Sequence, residues 1–415
     1  MRILQVCPRV PFPPHDGGAI AMYDVAAGLA QQGHQVTVLA INTPKHAQPA
    51  HVLDHLPGVR LVTVDVDTRL SPVKALKNLL FSQLPYNVER FVSPAVRARL
   101  AELLEQEAFD VVQMEGTFVA WYAGYWVEPL PGTPTSRWAK LPPVVLRAHN
   151  VEYTIWEQLA ENTRNPLKKW YLRKLARRLK QFEHWMMHRF DAVAAITEAD
   201  QQRLRLLGCQ EPVVFVPAGV DLNRFQRDPA IRPRPRTLFM IGSLNWLPNQ
   251  EGLEWFLREV WPQARAQYPE LELHIAGKDT PEHIRRLQLP GVTMHGFVES
   301  AARFMQEYEL MLVPLLSGGG MRIKIIEGMA LGKCILSTAL GAEGIHVRPG
   351  FDIVLGDSPA EWLTHLGRYY HGQLGQQLIG PEAARTIARL YDNRRVVESF
   401  LDLYSVVLAR KVPTA

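Results

Sequence analysis

A single pattern of elements occurs twice in this chain, and it limits the fold more than anything else in the sequence. An apolar run of strand length, "RILQVCP", hands over to a helical stretch and a second run in "GGAIAMYDVAAGLAQQGHQVTVLA", with Gly33 as the helix stop. Apolar runs recur at "VRLVTVDV", "FDVVQMEG", "PPVVLRAHN", "FDAVAAITE" and "PVVFVPAG". Each is continuous rather than alternating, as in strands buried on both faces, so a parallel sheet covered by helices is expected. "RFQRDPAIRPRPR" then interrupts with prolines and charge. The pattern restarts with "TLFMIGS", a helix from about Glu251 to Tyr268, "LELHIAGK", "VTMHGFV", "LMLVPLL", a helix after Gly320, and "CILST". The expected class is α/β with two similar domains, 1–222 and 236–393, joined by a linker at 223–235. Val397, Phe400, Leu401, Tyr404 and Leu408 recur at helical spacing, so residues from about 394 to 415 should form an amphipathic helix packed on one domain. Two such layers are expected to leave a cleft at the carboxyl ends of their strands, where open parallel sheets bind ligands.

Composition narrows the function classes. The 415 residues, 47% apolar and 21% charged, describe an ordinary globular chain. Cys7, Cys209 and Cys334 form no CxxC pair, which argues against a disulfide framework or a zinc site. No leader and no apolar run of about 18 residues is evident, so a cytoplasmic protein is expected. The net charge of +5 suits anionic small molecules or anionic lipid as well as nucleic acid.

The stretch "SGGGMRIKIIEGMALGKCILST", Ser317 to Thr338, follows a strand run and opens a helix. Strand, glycine loop and helix make an anion-binding arrangement, because backbone N–H groups point outward at a helix start and glycine lets a ligand approach them. Arg322 and Lys324 add charged donors, and Glu327 stands where a carboxylate could accept from sugar or ribose hydroxyls. The plainer alternative is a turn with two solvated cations. GxxxxGK[ST] is absent and "PPHDGGAI" lacks GxGxxG spacing, which weakens phosphoryl and hydride transfer. Gly17 and Gly18 lie at the first strand-to-helix handover, as a ligand approach or a simple turn. "RAHNVEY" sets His149 and Asn150 after an apolar strand, in a structural or a catalytic role, with no GxSxG, HExxH or acidic cluster to complete a dyad or metal site.

Two segments, 69–91 and 167–189, are both basic and apolar. In the second, Leu172, Leu175, Leu179, Phe182 and Met186 form one stripe, with Lys169, Arg173, Arg177 and Lys180 away from it. Such a helix either rests on an anionic bilayer surface or packs its stripe into a core beneath a solvated basic face.

The whole chain resembles family 4 of the nucleotide-sugar-dependent glycosyltransferases. The resemblance rests on Gly17 and Gly18, "HNVEY", "AAITEAD", "VPAGVDLNRF", "IGSLNWLPNQEGL", "IAGKD", "HGFVE", the glycine loop and "YDNRRVVESFLDLY", in the family's order, and it is nearest to bacterial members that build exopolysaccharides and lipopolysaccharides. It implies a GT-B fold with two Rossmann-like domains facing across a cleft, the last helix crossing back to the first domain. It also implies retaining transfer of a hexose from a nucleotide-diphosphate sugar to a glycan or lipid-linked oligosaccharide. The acceptor would bind the first domain and the donor the second, without metal, cofactor or nucleic acid, in the cytoplasm or on the inner face of the membrane. Residue by residue, it implies Asp16, Gly17, Gly18 and Asn150 at the phosphate and acceptor edge, and His149 beside the transferred sugar. Gly242, Ser243, Asn245 and Asn249 would border the diphosphate, Gly277 the nucleotide cleft, and Phe297 and Val298 the base. Gly318, Gly319, Gly320 and Met321 would line the donor, with Glu327 on the ribose. The family's first motif glutamate is replaced by Gly319, and the usual basic pair after the first strand of the donor domain is absent, so Arg322 and Lys324 are expected to neutralise the diphosphate. Removing either cation should lower transfer at least about tenfold with melting unchanged. Other readings are a nucleotide-sugar epimerase of the same fold and a non-catalytic nucleotide-sugar-binding protein.

Overall fold

The computed structural model describes residues 1–126 and 141–411, so the last residues of the expected C-terminal helix, 412–415, lie outside the described residues. The chain divides into two compact units, Met1–Pro217 with Val396–Ala415, and Ala218–Arg395.

The first unit holds β1 (Arg2–Cys7), β2 (Gln35–Asn42), β3 (Val59–Asp65), β4 (Val111–Glu115), β5 (Val144–Ala148), β6 (Ala192–Ala195) and β7 (Val213–Phe215). They form one sheet in the order β3-β2-β1-β4-β5-β6-β7, every pairing parallel. β1, β4, β5 and β6 are buried on both sides apart from Arg2 at the start of β1, which is why their runs are mainly apolar without alternation, broken inside only by Gln5, Gln113, Glu115 and Arg147. The C-terminal helix, Asn393–Lys411, closes one face: Val397, Phe400 and Tyr404 share a buried cluster with Met22, Val25, Ala26 and Leu29 of the helix Gly17–Gln31. Burying a side chain such as Phe400 stabilises the unit by roughly 1.5–3 kcal/mol.

The second unit contains β8 (Arg234–Ile241), β9 (Glu272–Ala276), β10 (Val292–Gly296), β11 (Tyr308–Val313), β12 (Cys334–Ser337) and β13 (Val354–Leu355), in the order β10-β9-β8-β11-β12-β13 and again all parallel. β13 has only two residues, too short for an apolar pattern to announce it. The expected helix from Glu251 begins earlier, at Leu247, and carries a π turn over Phe256–Val260. Pro262 lies just beyond that turn. It has no N–H to give and its ring crowds the carbonyl four residues back, so the helix widens there before continuing to Gln267.

In each sheet the connection reverses beside one central strand, between β2 and β4 around β1 and between β9 and β11 around β8. Loops at the carboxyl ends of those strands are where a doubly wound sheet offers space to a ligand.

Candidate functional site

Several candidate residues gather at the switch point of the second sheet. Gly242 ends β8 and donates to the Ala276 carbonyl at 3.1 Å. A Cβ on Gly242 would stand 3.1 Å from Asn249 Nδ2 and 3.2 Å from Lys324 Nζ, so one amide and one ammonium close over this backbone. Lys324 Nζ donates to Asn249 Oδ1 at 2.8 Å, and Asn249 Nδ2 donates to the Ser243 carbonyl at 2.8 Å. Lys324 is enclosed on most sides but keeps part of its surface accessible. That enclosure, with the neighbouring Arg322 charge, lowers its pKa to about 7. Asn245 is engaged at both ends of its amide, accepting from Ser243 Oγ at 2.9 Å and donating to Asp279 Oδ2 at 2.8 Å. Gly277 has a packing reason to be glycine, since a Cβ there would lie 2.3 Å from the Gly242 carbonyl oxygen.

The glycine loop leads from β11 into the helix Ile323–Ala330. Gly318 and Gly320 have φ of 102° and 78°, conformations that exclude most side chains. Arg322 is buried, and its Nη1 donates to the carbonyls of Gly319 and Gly320, so the guanidinium fixes the loop from below. Nε and Nη2 of Arg322 have no hydrogen-bond partner among the described residues, and burial lowers its pKa to about 10. Trp246 covers this loop, its ring 5.6 Å from the Arg322 guanidinium and 3.0 Å from a Cβ built on Gly318. Ser317 Oγ donates to Glu251 Oε2 at 2.6 Å. Glu327, on the same helix and buried, faces Arg224 at 3.9 Å. Met321 and Val298 are partly buried against the second unit's core, and Phe297 is exposed on the loop after β10. The Lys324 amine beside the Gly242 backbone suits an anionic group such as a phosphate ester, and Glu327 lies further along the same helix.

A separate group lies in the first unit. Asp16 accepts from Ala19 N at 3.1 Å, capping the helix whose first residues are Gly17 and Gly18, and its Oδ2 accepts from Arg9 Nη1 at 2.8 Å. His149, just past β5, is bonded through Nε2 to the fully buried Glu115 at 2.6 Å, and Asn150 donates to Glu152 at 3.4 Å. Glu115, Trp246 and Arg224 are not singled out by motif reading because each acts through a contact between distant parts of the chain. Among the described residues no group of three or more His, Cys, Asp or Glu side chains is placed to hold a metal ion.

The stripe on the second basic segment is core: Leu172, Leu175, Leu179, Phe182 and Met186 of the helix Pro166–Met186 are buried, with Lys169, Arg173, Arg177 and Lys180 outside. The apolar residues left open there are Leu167 and Trp170. More lie on the helix Pro72–Phe81, where Val73, Leu76, Leu80 and Phe81 are 64%, 57%, 64% and 85% exposed. Arg178 ties the two helices by donating to Asn78 and to the Leu79 carbonyl at 2.9 Å. No described helix is long and apolar enough to cross a membrane.

Two parallel doubly wound sheets are the GT-B fold, and the family models that the chain matches make it a glycosyltransferase that uses a nucleotide sugar. Residues 15–224 match the glycosyltransferase family 4 model and residues 235–371 the glycosyl transferases group 1 model. The chain belongs to glycosyltransferase family 4 and is a retaining enzyme. It is 22% identical over 408 residues to an uncharacterized 44.6 kDa protein in the cps region of Klebsiella pneumoniae, covering 96% of this chain and 98% of that one. Its fold is similar to sucrose-phosphate synthase from Thermosynechococcus elongatus, with TM-score 0.70 and 16% identity over 99% of this chain and all of that one. It is also similar to Anabaena Alr3699/HepE in complex with UDP-glucose, with TM-score 0.63 and 16% identity over 98% of this chain and 100% of that one.

Proposed function

We propose that this enzyme moves a hexose, with retention, from a nucleotide-diphosphate sugar to a lipid-linked glycan during assembly of a cell-surface polysaccharide. UDP-glucose is the first donor to consider, because a relative of the same fold is solved with it. The capsule setting is supported by the similar protein in the Klebsiella cps region. Residues 236–393 are proposed to bind the donor and 1–222 the acceptor.

The observation that carries this reading is the closure of Lys324 and Asn249 over the Gly242 backbone. Cleavage of the glycosyl–phosphate bond builds negative charge on the leaving diphosphate, and donors that hold it more strongly as charge grows lower the barrier. Lys324 and the amides beside Gly242 and Gly320 take that role. Glu327 holds the ribose, and His149 serves the sugar being transferred. The leaving phosphate accepts the acceptor's proton in a front-face displacement. Val73, Leu76, Leu80 and Phe81, with Lys74, Lys77 and the basic face of Pro166–Met186, are proposed to rest on an anionic membrane surface that presents the lipid-linked acceptor.

A thermal-shift screen against UDP-, GDP-, ADP- and dTDP-sugars tests the donor, because a ligand that binds only the folded state raises the midpoint. Donor incubated with enzyme alone and followed by NMR tests the reaction: epimerised donor in the absence of acceptor would overturn the transferase reading. Binding without turnover, whatever acceptor is offered, would mark a non-catalytic binder.

A further inference from the structure

The first sheet carries polar residues where its apolar pattern should continue. β1 and β4 pair with Gln5 opposite Gln113, and β4 and β5 pair with Glu115 opposite Arg147. Side chains alternate along a strand, so Gln5, Gln113, Glu115 and Arg147 share one face and His149 continues the same alternation past β5. This is the face closed by the C-terminal helix, and Gln5, Gln113, Glu115 and Arg147 are all fully buried there.

Their polar atoms form one chain. The Tyr404 hydroxyl of the C-terminal helix donates to Gln113 Oε1, which orients that amide so that Nε2 donates to Glu115 Oε1 at 2.6 Å. Gln5 Nε2 donates to the same oxygen at 2.6 Å. Glu115 Oε2 takes His149 Nε2 at 2.6 Å and lies 3.8 Å from Arg147 Nη1. Burial pushes the Glu115 carboxyl up, but the Arg147 charge and the bonds from His149 and Gln5 outweigh it and hold the group below its usual range. An ionised carboxylate only accepts, so His149 must present Nε2–H to it. Nδ1 has no hydrogen-bond partner among the described residues, and the ring keeps part of its surface exposed.

We propose that Glu115 is a positioning residue for His149, fixing the imidazole with Nε2 as donor so that Nδ1 is offered as an acceptor to a hydroxyl of the transferred sugar, with Gln113 and Tyr404 holding Glu115 in place. The part concerning the sugar rests on the role given to His149 above. The part concerning the ring stands on the hydrogen-bond chain alone.

Long-range proton–nitrogen NMR of the full chain labelled with 15N-histidine, with His149 assigned by its loss in His149→Asn, reads the tautomer directly. In its neutral ring the wild type should carry the proton on Nε2 and leave Nδ1 bare. Glu115→Gln should populate the Nδ1–H form, and Tyr404→Phe should do so in part. Kinetics follow UDP release from UDP-glucose: Glu115→Gln should lower kcat about tenfold or more with KM for donor changed less than about threefold. In a His149→Ala background, Glu115→Gln should cost nothing further. A neutral wild-type ring with its proton on Nδ1 rather than Nε2, or a neutral Glu115→Gln ring with the wild-type tautomer, overturns the clamp, as does a further tenfold loss in the His149→Ala background. If Glu115→Gln does not fold, Tyr404→Phe carries the same NMR test, and an unchanged tautomer there removes the relay from the C-terminal helix. Full turnover in His149→Ala refutes the sugar role while the spectrum still decides the clamp.

Discussion

Replacing Lys324 with methionine should weaken donor binding and raise stability together, an opposition that a merely structural lysine would not produce. An ordinary lysine has a pKa of about 10.4. In the folded chain the Lys324 value is lowered to about 7, by enclosure first and the Arg322 charge second. Between those values the unfolded chain binds more protons than the folded one, so stability rises with pH from about 7 to about 10 and is lowest on the acidic side. At pH 7 the ceiling on this cost is about 4 kcal/mol, at about 1.4 kcal/mol per unit. Partial accessibility reduces it. Losing the 2.8 Å bond to Asn249 subtracts about 1 kcal/mol more, leaving a net gain for Lys324→Met of about 1–2 kcal/mol, or roughly 2–8 °C in a domain of this size. The sequence-based expectation of unchanged melting concerns alanine, which removes the packed stem with the charge; methionine keeps the stem, so for it a rise is expected.

The binding half follows from the same proton. A diphosphate beside Lys324 favours the ammonium, so above pH 7 binding takes up a proton and the apparent Kd rises about tenfold per pH unit until the pKa of the complex is reached. Between pH 7 and 8.5 the expected loss is on the order of fifteen-fold. Calorimetry with UDP suits the window, because a phosphate monoester titrates near pH 6 and changes little above 7. Repeating the titration in buffers of different ionisation enthalpy counts the proton. A flat Kd across the window, with Lys324→Met binding as tightly as wild type, would refute the assignment of Lys324 to the diphosphate.

Gly319→Glu restores the carboxylate expected by family resemblance at a position whose backbone is not held at positive φ, so the variant should fold and shift the ranking of hexose donors in the thermal-shift screen; an unchanged ranking counts against a sugar-reading role for this position. Leu76→Glu with Leu80→Glu should abolish co-sedimentation with anionic vesicles at low salt while the melting midpoint stays within about 1 °C, since both side chains are exposed; retained sedimentation would remove that helix from the membrane reading. His274 and His295 lie 3.0 Å apart, and both pKa values are lowered, in each case by desolvation first, with the His295 charge next for His274 and the Arg234 charge next for His295. The unfolded chain protonates before the folded one as pH falls below about 6.5, so stability should fall with acidification there, and His274→Gln with His295→Gln should flatten that slope in urea titrations.

The fold was legible because mainly apolar, non-alternating runs identify strands covered on both faces; β4, β5 and β6 are buried throughout, and β1 everywhere but Arg2. β13 and the π turn were not, one being two residues long and the other a local response to Pro262. The glycine loop was equally plain, since Gly318 and Gly320 advertise their backbone need in residue type. What a linear pattern cannot supply is the division of labour between two cations two residues apart. On a helix start, that spacing turns the side chains in different directions: Arg322 goes beneath the loop to bind the carbonyls of Gly319 and Gly320, and Lys324 goes toward Gly242 and Asn249. The first therefore stabilises the loop's shape, and the second stands beside the Gly242 backbone, where the diphosphate is proposed to bind. The same reasoning separates the two basic segments, whose sequences read alike. In Pro166–Met186 the apolar stripe is needed by the core, whereas in Pro72–Phe81 a hydrogen-bonded anchor at Asn78 lets the outward residues stay apolar. Periodicity reports that a face exists, and only the tertiary contacts decide whether protein or solvent meets it.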